Sequence, residues 1–339
     1  MLARRLRASI RGWGGVGAMA IVCALAVAFA LHLPHARPHG DGSTGLGGRG
    51  VADGTHARAE QCENPQDQSL APSATADGAK IAEIERRGHL VVGVDQNSYR
   101  WGYRDPNSTA RDVELEGFDI DLARRIAREL LGDADRIRFK AIPTNERIAA
   151  IESGQVDMVV RTMTITCARL KDVAFSAPYF TTGQQVLAPK SSPVTGYDDT
   201  LDGKRICSAA GSTAYDKLAA DRKAGVLDAS TDISTTVPNQ LDCLVRLQLG
   251  QVDAVVTDGA LAASQAAQDP SVELKGGLFT TEYYGVAMHQ EADDLVRRVN
   301  RVLEDYRRDG GWKAAYDTWL SATLPGDSES ATAPTPTYR

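Results

Sequence analysis

The stretch "RTMTITCAR", residues 161 to 169, packs two arginines, three threonines and a cysteine directly behind "VDMVV", which reads as a buried strand. Fixed positive charge at the end of a buried strand is costly unless an anion meets it. A guanidinium fork suits a carboxylate or phosphate better than an ammonium does. The chemistry these residues point to is therefore anion recognition. Metal chemistry has no comparable pattern: no C-x-x-C occurs and the six histidines are scattered, so no metal or cofactor is expected.

Several elements must place that stretch. "AKIAEIERRG" has helical apolar spacing and stops at Gly88, and "HLVVGVD" is a strand. In "GFDIDLARRIARELLG" the stripe Phe118, Ile120, Leu122, Ile126, Leu130 and Leu131 predicts an amphipathic helix closed by Gly132. "RIRFKAI" is a strand, "NERIAAIESG" a short helix and "VDMVV" a third strand, which predicts a parallel sheet with right-handed crossovers. A second series follows: "GKRICSAAG" (strand), "STAYDKLAADRKAG" and "PNQLDCLVRLQLG" (helices), and "QVDAVVTDG" (strand). "TTEYYGVAMH" reads as a strand returning to the first unit, ahead of a terminal helical region broken at Gly310-Gly311. Two α/β units joined by two crossings bracket a cleft, and ligands of open α/β sheets bind beyond the carboxyl ends of the strands.

The 339 residues allow two domains. The net charge of −6, with no basic run beyond the first dozen residues, argues against a nucleic-acid surface. A mean hydropathy of −0.28 excludes a multi-span membrane protein. Arg4, Arg5, Arg7 and Arg11 precede the apolar run 16 to 33, which reads as a signal peptide or signal anchor over 1–33. Residues 34–78 are poor in large apolar side chains and read as a flexible linker; the tail 323–339 reads as disordered. Export leaves Cys62, Cys167, Cys207 and Cys243 in an oxidising compartment, where four cysteines form two disulfides in one of three connectivities.

The ordered set "LVVGVD", "LEGFDIDLA", "GQVDMVVRTMTITCAR", "FSAPYF", "LDGKRICSAAGST", "GQVDAVVTD" and "DGGWKAAYDTWL" resembles the family 3, polar amino acid type, solute-binding proteins of ABC transporters, over roughly 80 to 322. The forms "VVRTMTITCAR" and "DCLVRLQ" are similar to the actinobacterial glutamine/glutamate-binding branch. The resemblance implies a periplasmic-binding-protein-like α/β fold, with lobe 1 over 79–185 and 284–322 and lobe 2 over 186–283. It implies two hinge crossings and a free amino acid in the cleft. Arg169 is then expected to grip the α-carboxylate, with Thr162 and Thr164 as further contacts. Asp258, and Asp95 in the other lobe, are expected at the ammonium. Tyr99 or Trp101 is expected to wall the ligand. Gly211 permits a tight turn that places Ser212 and Thr213 at a helix N-terminus, an anion site as well as a cap. The region Thr144 to Arg147 lacks the aromatic many relatives carry, as in glutamate/aspartate-binding members. Arg161 stands where relatives often have a small residue. Its expected role is a second, side-chain carboxylate, the alternative being scaffolding against Asp157 or Glu146.

Two lobes also constrain the cysteines. Cys207 and Cys243 both fall in lobe 2, so their bond needs no contact across a moving cleft, and Cys167 is left with Cys62. The implied function is extracytoplasmic capture of glutamate, aspartate, glutamine or asparagine by a monomer held at the outer face of the membrane or secreted. Its partner is an ABC permease or, alternatively, a membrane signalling protein. A dehydratase-like enzyme on the same fold needs a positioned general acid, and no isolated Glu or His at a strand end suggests one.

Overall fold

Strand β1 (Leu90–Val94) lies between β4 (Ile137–Ala141) and β5 (Met158–Val159), parallel to both. Beyond β5 come β14 (Ala287–His289), antiparallel to it, and β6 (Val173–Phe175), giving a five-stranded sheet in the order β4-β1-β5-β14-β6. The computed structural model describes residues 62–105, 108–109, 114–324 and 328–339, which fall in one compact unit, 60–339. The expected signal segment and residues 34–61 of the expected linker lie outside the described residues. Among the described residues no helix is long and apolar enough to cross a membrane.

The second sheet runs β10 (Asp232–Val237), β9 (Arg205–Ala209), β11 (Ala254–Asp258), β8 (Gln184–Pro189), β12 (Val272–Lys275). Here β9 is parallel to β10 and β11, while β8 is antiparallel to β11 and β12. Each sheet is the core of one lobe. Between them run two strands, β7 (Phe180–Thr182) and β13 (Glu282–Tyr284), paired antiparallel as the two crossings. Gly183 closes this joint: a Cβ there would lie 1.9 Å from the Thr280 carbonyl oxygen, so only glycine fits. The short pair β2 (Asn97–Ser98) and β3 (Gly102–Tyr103) caps the end of β1.

Eight α-helices cover the sheets of the described residues: α1 (Ala79–Arg87), α2 (Phe118–Leu131), α3 (Arg147–Glu152), α4 (Thr213–Ala224), α5 (Gln240–Gln248), α6 (Gly259–Gln268), α7 (Asp293–Arg308) and α8 (Gly311–Trp319). Five of the six stripe residues of α2 are buried, and only Leu131, at the last turn, is partly exposed. Helix α1 lacks a cap of its own; the amides of Lys80 and Ile81 donate to Asp294 Oδ2 of α7 at 3.0 and 2.9 Å. This satisfies two of the donors a helix start leaves open. Gly310, with φ 80°, makes the break between α7 and α8.

Three segments differ from the sequence expectation. "TTEYYGVAMH" is not one strand but two, β13 in the crossing pair and β14 in the lobe 1 sheet. From Cys62 on, the expected linker is docked on lobe 1. Ser69 Oγ donates to the Phe175 carbonyl at 2.8 Å, Asn300 Nδ2 to the Leu70 carbonyl at 2.6 Å, and Ser73 N to the Arg297 carbonyl at 3.1 Å. The described part of the tail is docked too. Ser330 Oγ donates to the Thr181 carbonyl of β7 at 2.8 Å, and Arg339 N to the Ser69 carbonyl at 3.0 Å. Neither docked segment has an apolar face for a periodicity argument to find; side-chain and backbone hydrogen bonds, isolated apolar contacts from Leu70, Ala331 and Ala333, and one disulfide hold them.

Both disulfides of the sequence reading are present. Cys62 bonds Cys167 and Cys207 bonds Cys243, with Cα–Cα distances of 5.7 and 5.6 Å. The first ties the docked N-terminal segment to the "RTMTITCAR" loop, and the second ties β9 to α5 within lobe 2.

Candidate functional site

Beyond the end of β5 the chain turns sharply. Thr162 has φ 41°, a left-handed conformation that is rare for a β-branched residue and costs about 1–3 kcal/mol. The turn is held from behind by buried Asp119 at the start of α2. Asp119 Oδ2 accepts the Thr162 amide at 3.1 Å, and Oδ1 accepts the Tyr179 hydroxyl at 2.9 Å. Burial pushes the Asp119 carboxyl up to about 7, against the lowering effect of those two donors. After the turn, Thr164 bridges to Tyr284 of β13 and the Ile165 amide donates to the Tyr283 carbonyl at 2.8 Å. The loop is thereby stitched to the hinge, and a short 3-10 turn, Arg169–Lys171, delivers Arg169 back to the cleft.

Arg169 Nη1 donates to the Thr164 carbonyl at 2.7 Å, and Nη2 crosses to the Gly211 carbonyl of lobe 2 at 3.1 Å. A second buried guanidinium, Arg147 at the start of α3, lies beside it. Its Nε donates to the Thr144 carbonyl at 2.9 Å, Nη1 to the Arg161 carbonyl at 3.3 Å and Nη2 to the same Gly211 carbonyl at 3.4 Å. Burial lowers both arginines' affinity for their protons, most for Arg147, which also faces Arg169 and Arg161. Among the described residues neither Arg147 nor Arg169 makes an ion pair within 4.0 Å. Gly211, at φ 71°, allows the close approach: a Cβ there would sit 3.0 Å from Asn145 Cα of lobe 1.

Lobe 2 answers with hydroxyls and a carboxylate. Ser212 caps α4, its Oγ accepting the Tyr215 amide at 3.2 Å and donating to the Ala209 carbonyl at 2.6 Å. Asp258 ends β11 and accepts a short hydrogen bond from the Tyr284 hydroxyl. Its carboxyl is raised, first by burial and then by the charge of Glu282, against the lowering influence of Tyr284, Arg147 and Arg169. Glu282 sits where the lobes and hinge meet. Its Oε2 accepts Thr164 Oγ1 at 2.5 Å and Thr213 Oγ1 at 2.9 Å, and its Oε1 accepts Gln184 Nε2 at 2.6 Å.

Arg147, Thr162, Thr164 and Arg169 from lobe 1 meet Ser212, Thr213, Ala214, Gln240, Thr257 and Asp258 from lobe 2. They enclose a cavity of ≈ 10 Å³, room for about one water. The structure thus brings together six of the ten residues picked from the sequence: Thr162, Thr164, Arg169, Ser212, Thr213 and Asp258. Four lie elsewhere. Arg161 is fully buried and pairs with Asp95 Oδ2 at 2.9 Å, so each consumes the other's charge outside the cavity lining. Neither Asp157 nor Glu146 is its partner; Asp157 instead pairs with Lys80 and Arg87. Trp101 is fully buried in an aromatic cluster, with Phe180, Phe118 and Tyr284 ring centroids at 4.9, 5.6 and 5.8 Å. Tyr99 packs on Tyr103 at 5.0 Å under the Arg100 guanidinium, away from the cavity.

Arg147, Gln240, Thr257 and Glu282 were missed. For Arg147 a signal existed: Arg147, Ala150 and Ile151 share the i, i+3, i+4 spacing of the buried face of α3. An arginine on an apolar helix face needs a polar destination.

The profile of the bacterial extracellular solute-binding proteins, family 3, matches residues 90–322, more than half the chain. The chain belongs to that family. This family 3 protein is 32% identical over 241 residues to the ABC transporter glutamine-binding protein of Bacillus subtilis, covering 71% of this chain and 84% of the relative. To the glutamate-binding protein of Corynebacterium efficiens it is 27% identical over 267 residues, covering 76% and 85%. Among solved structures, the solute receptor for L-cysteine of Neisseria gonorrhoeae superposes with a TM-score of 0.67 at 25% identity, over 76% of the family 3 chain and 100% of the receptor. The receptor's full length is matched, so the two-lobed α/β fold described above is common to both.

Proposed function

We propose that the cleft binds a free amino acid with an acidic side chain, glutamate or aspartate, in preference to the amides, and that the protein passes it to an ABC permease. One observation carries the reading. Two buried guanidiniums, Arg147 and Arg169, share a cleft with the buried carboxylate of Asp258, and neither has a carboxylate partner among the described residues. A dicarboxylic amino acid supplies what each lacks. Arg169 takes the α-carboxylate. Asp258 takes the ammonium, whose charge offsets the repulsion from Glu282 that raises it. Arg147 takes the side-chain carboxylate, the role expected for Arg161. The glutamine- and glutamate-binding relatives support an amino-acid ligand, and they support binding without turnover. An extracytoplasmic monomer, exported by its N-terminal segment, fits the extracellular family. A membrane signalling partner would use the same cleft.

Calorimetric titration with glutamate, aspartate, glutamine and asparagine tests this. Leaving a buried charge without its partner costs about 3–5 kcal/mol, so Arg169→Ala loses all four ligands by about a hundredfold or more. Arg147→Ala weakens the acidic pair at least about tenfold more than the amides, one charge-assisted bond's difference. A parent that prefers the amides, or an Arg147→Ala chain that loses all four equally, overturns the assignment.

A further inference from the structure

We propose that Arg161 is the latch of lobe closure: a positioning residue that sets how long the cleft stays shut and not which ligand it takes. The guanidinium is fully buried and anchored in lobe 1 on Asp95, which is itself fixed by the amides of Gln96 and Asn97 at 2.8 and 2.9 Å and the Ser98 hydroxyl at 2.8 Å. From that anchor it reaches across. Nη2 donates to Asn239 Oδ1 of lobe 2 at 3.1 Å, and Nη1 donates to Thr144 Oγ1 at 3.0 Å, which relays to Gln240 Oε1 at 3.3 Å. The Thr144 amide completes the contact, donating to the Pro238 carbonyl at 3.0 Å. Residues 238–240, at the start of α5, therefore present three acceptors in a row to three donors of lobe 1.

The pairing with Asp95 makes the contact reversible. When the lobes part, Arg161 loses a neutral acceptor but keeps its counter-charge, so opening strands no buried ion. A hydrogen bond from a charged donor is worth enough to slow opening about tenfold or more. The latch rests on the amino-acid-binding reading for its purpose, and its test separates the two.

Asn239→Ser is the informative variant. Serine caps a helix as well as asparagine does, yet its shorter side chain cannot span to Arg161. The dissociation rates of glutamate, aspartate, glutamine and asparagine are expected to rise by one common factor of about ten, with association rates unchanged. Arg161→Lys, which keeps a charge on Asp95, is expected to do the same. Unchanged dissociation in Asn239→Ser, or a loss in Arg161→Lys confined to glutamate and aspartate, overturns the latch; the second outcome makes Arg161 a ligand contact. Hydrogen exchange at the Thr144 amide reads the latch without ligand, because its acceptor lies in the other lobe. It is expected to quicken about tenfold in Asn239→Ser. Equal exchange in both chains overturns the latch whether or not the parent binds any of the four, whereas a parent that binds none overturns only the binding reading.

Discussion

Asp119 shows how a residue outside the cleft shapes it. It touches no cavity space, yet it holds Thr162 in a conformation threonine otherwise avoids. Its carboxyl, near 3.8 in the unfolded chain, rises to about 7 in the fold because burial penalises the charge. The folded state therefore binds the proton more tightly, and between those values it carries more protons than the unfolded state. Stability from this group is full at low pH and is lost as pH rises towards 7, by on the order of 4 kcal/mol before any relaxation. Asparagine mimics the protonated acid, with Oδ1 accepting the Thr162 amide and Nδ2 donating to the Tyr179 oxygen. Melting curves of Asp119→Asn and parent are thus expected to diverge between pH 4 and 8, the variant gaining relative stability as pH rises. Parallel curves would show that Asp119 stays charged in the fold.

The two disulfides act on different elements. Cys207–Cys243 joins β9 to α5 inside one lobe, far along the chain from any lobe 1 residue that lines the cleft. Cys62–Cys167 sits two residues before Arg169, so it constrains the loop that delivers the guanidinium. By loop-closure entropy the bonds are worth roughly 4 and 4.7 kcal/mol for separations of 36 and 105 residues. Replacing either pair by serines is expected to lower the denaturant midpoint comparably. Ligand affinity, measured where both variants are folded, is expected to fall about fivefold or more only for the 62/167 pair, since ordering one loop costs about 1 kcal/mol per residue. Equal affinity in the two variants would sink the loop argument. Both pairings were legible because Cys207 and Cys243 fell together in lobe 2, which left Cys167 of lobe 1 with Cys62 of the segment before the first helix. Helix α2 was legible through period, and β1, β4, β5, β9 and β11 as apolar runs, whereas β6, β7, β8, β10 and β12 were not read from the sequence. Asp258 was legible through its place at a strand end, and Arg169 and Thr164 through the family resemblance. Arg161 was not: a strand end says that a side chain emerges, and its partner Asp95 ends a neighbouring strand that the chain order does not place side by side with it. The docked segments at 62–78 and 328–339 were illegible for want of any apolar face.

At the scale of the molecule, the cleft is a joint. Arg147, Arg169 and Thr144 reach across from lobe 1, Glu282 binds hydroxyls of both lobes, and the enclosed ≈ 10 Å³ lies far below the size of any amino acid. Ligand entry requires the lobes to part, and a ligand held from both sides stabilises the closed form. Small-angle scattering is expected to give a smaller radius of gyration with saturating glutamate than without; identical profiles would argue for a rigid cleft. The connectivity of the disulfides has a consequence for biosynthesis. Of the four cysteines that follow the apolar N-terminal run, the first bonds the second and the third bonds the fourth. A chain exported behind that run emerges from the run onward and presents them in that order. An oxidase that joins each thiol to the next one to emerge makes the native set directly, leaving a shuffling enzyme nothing to correct.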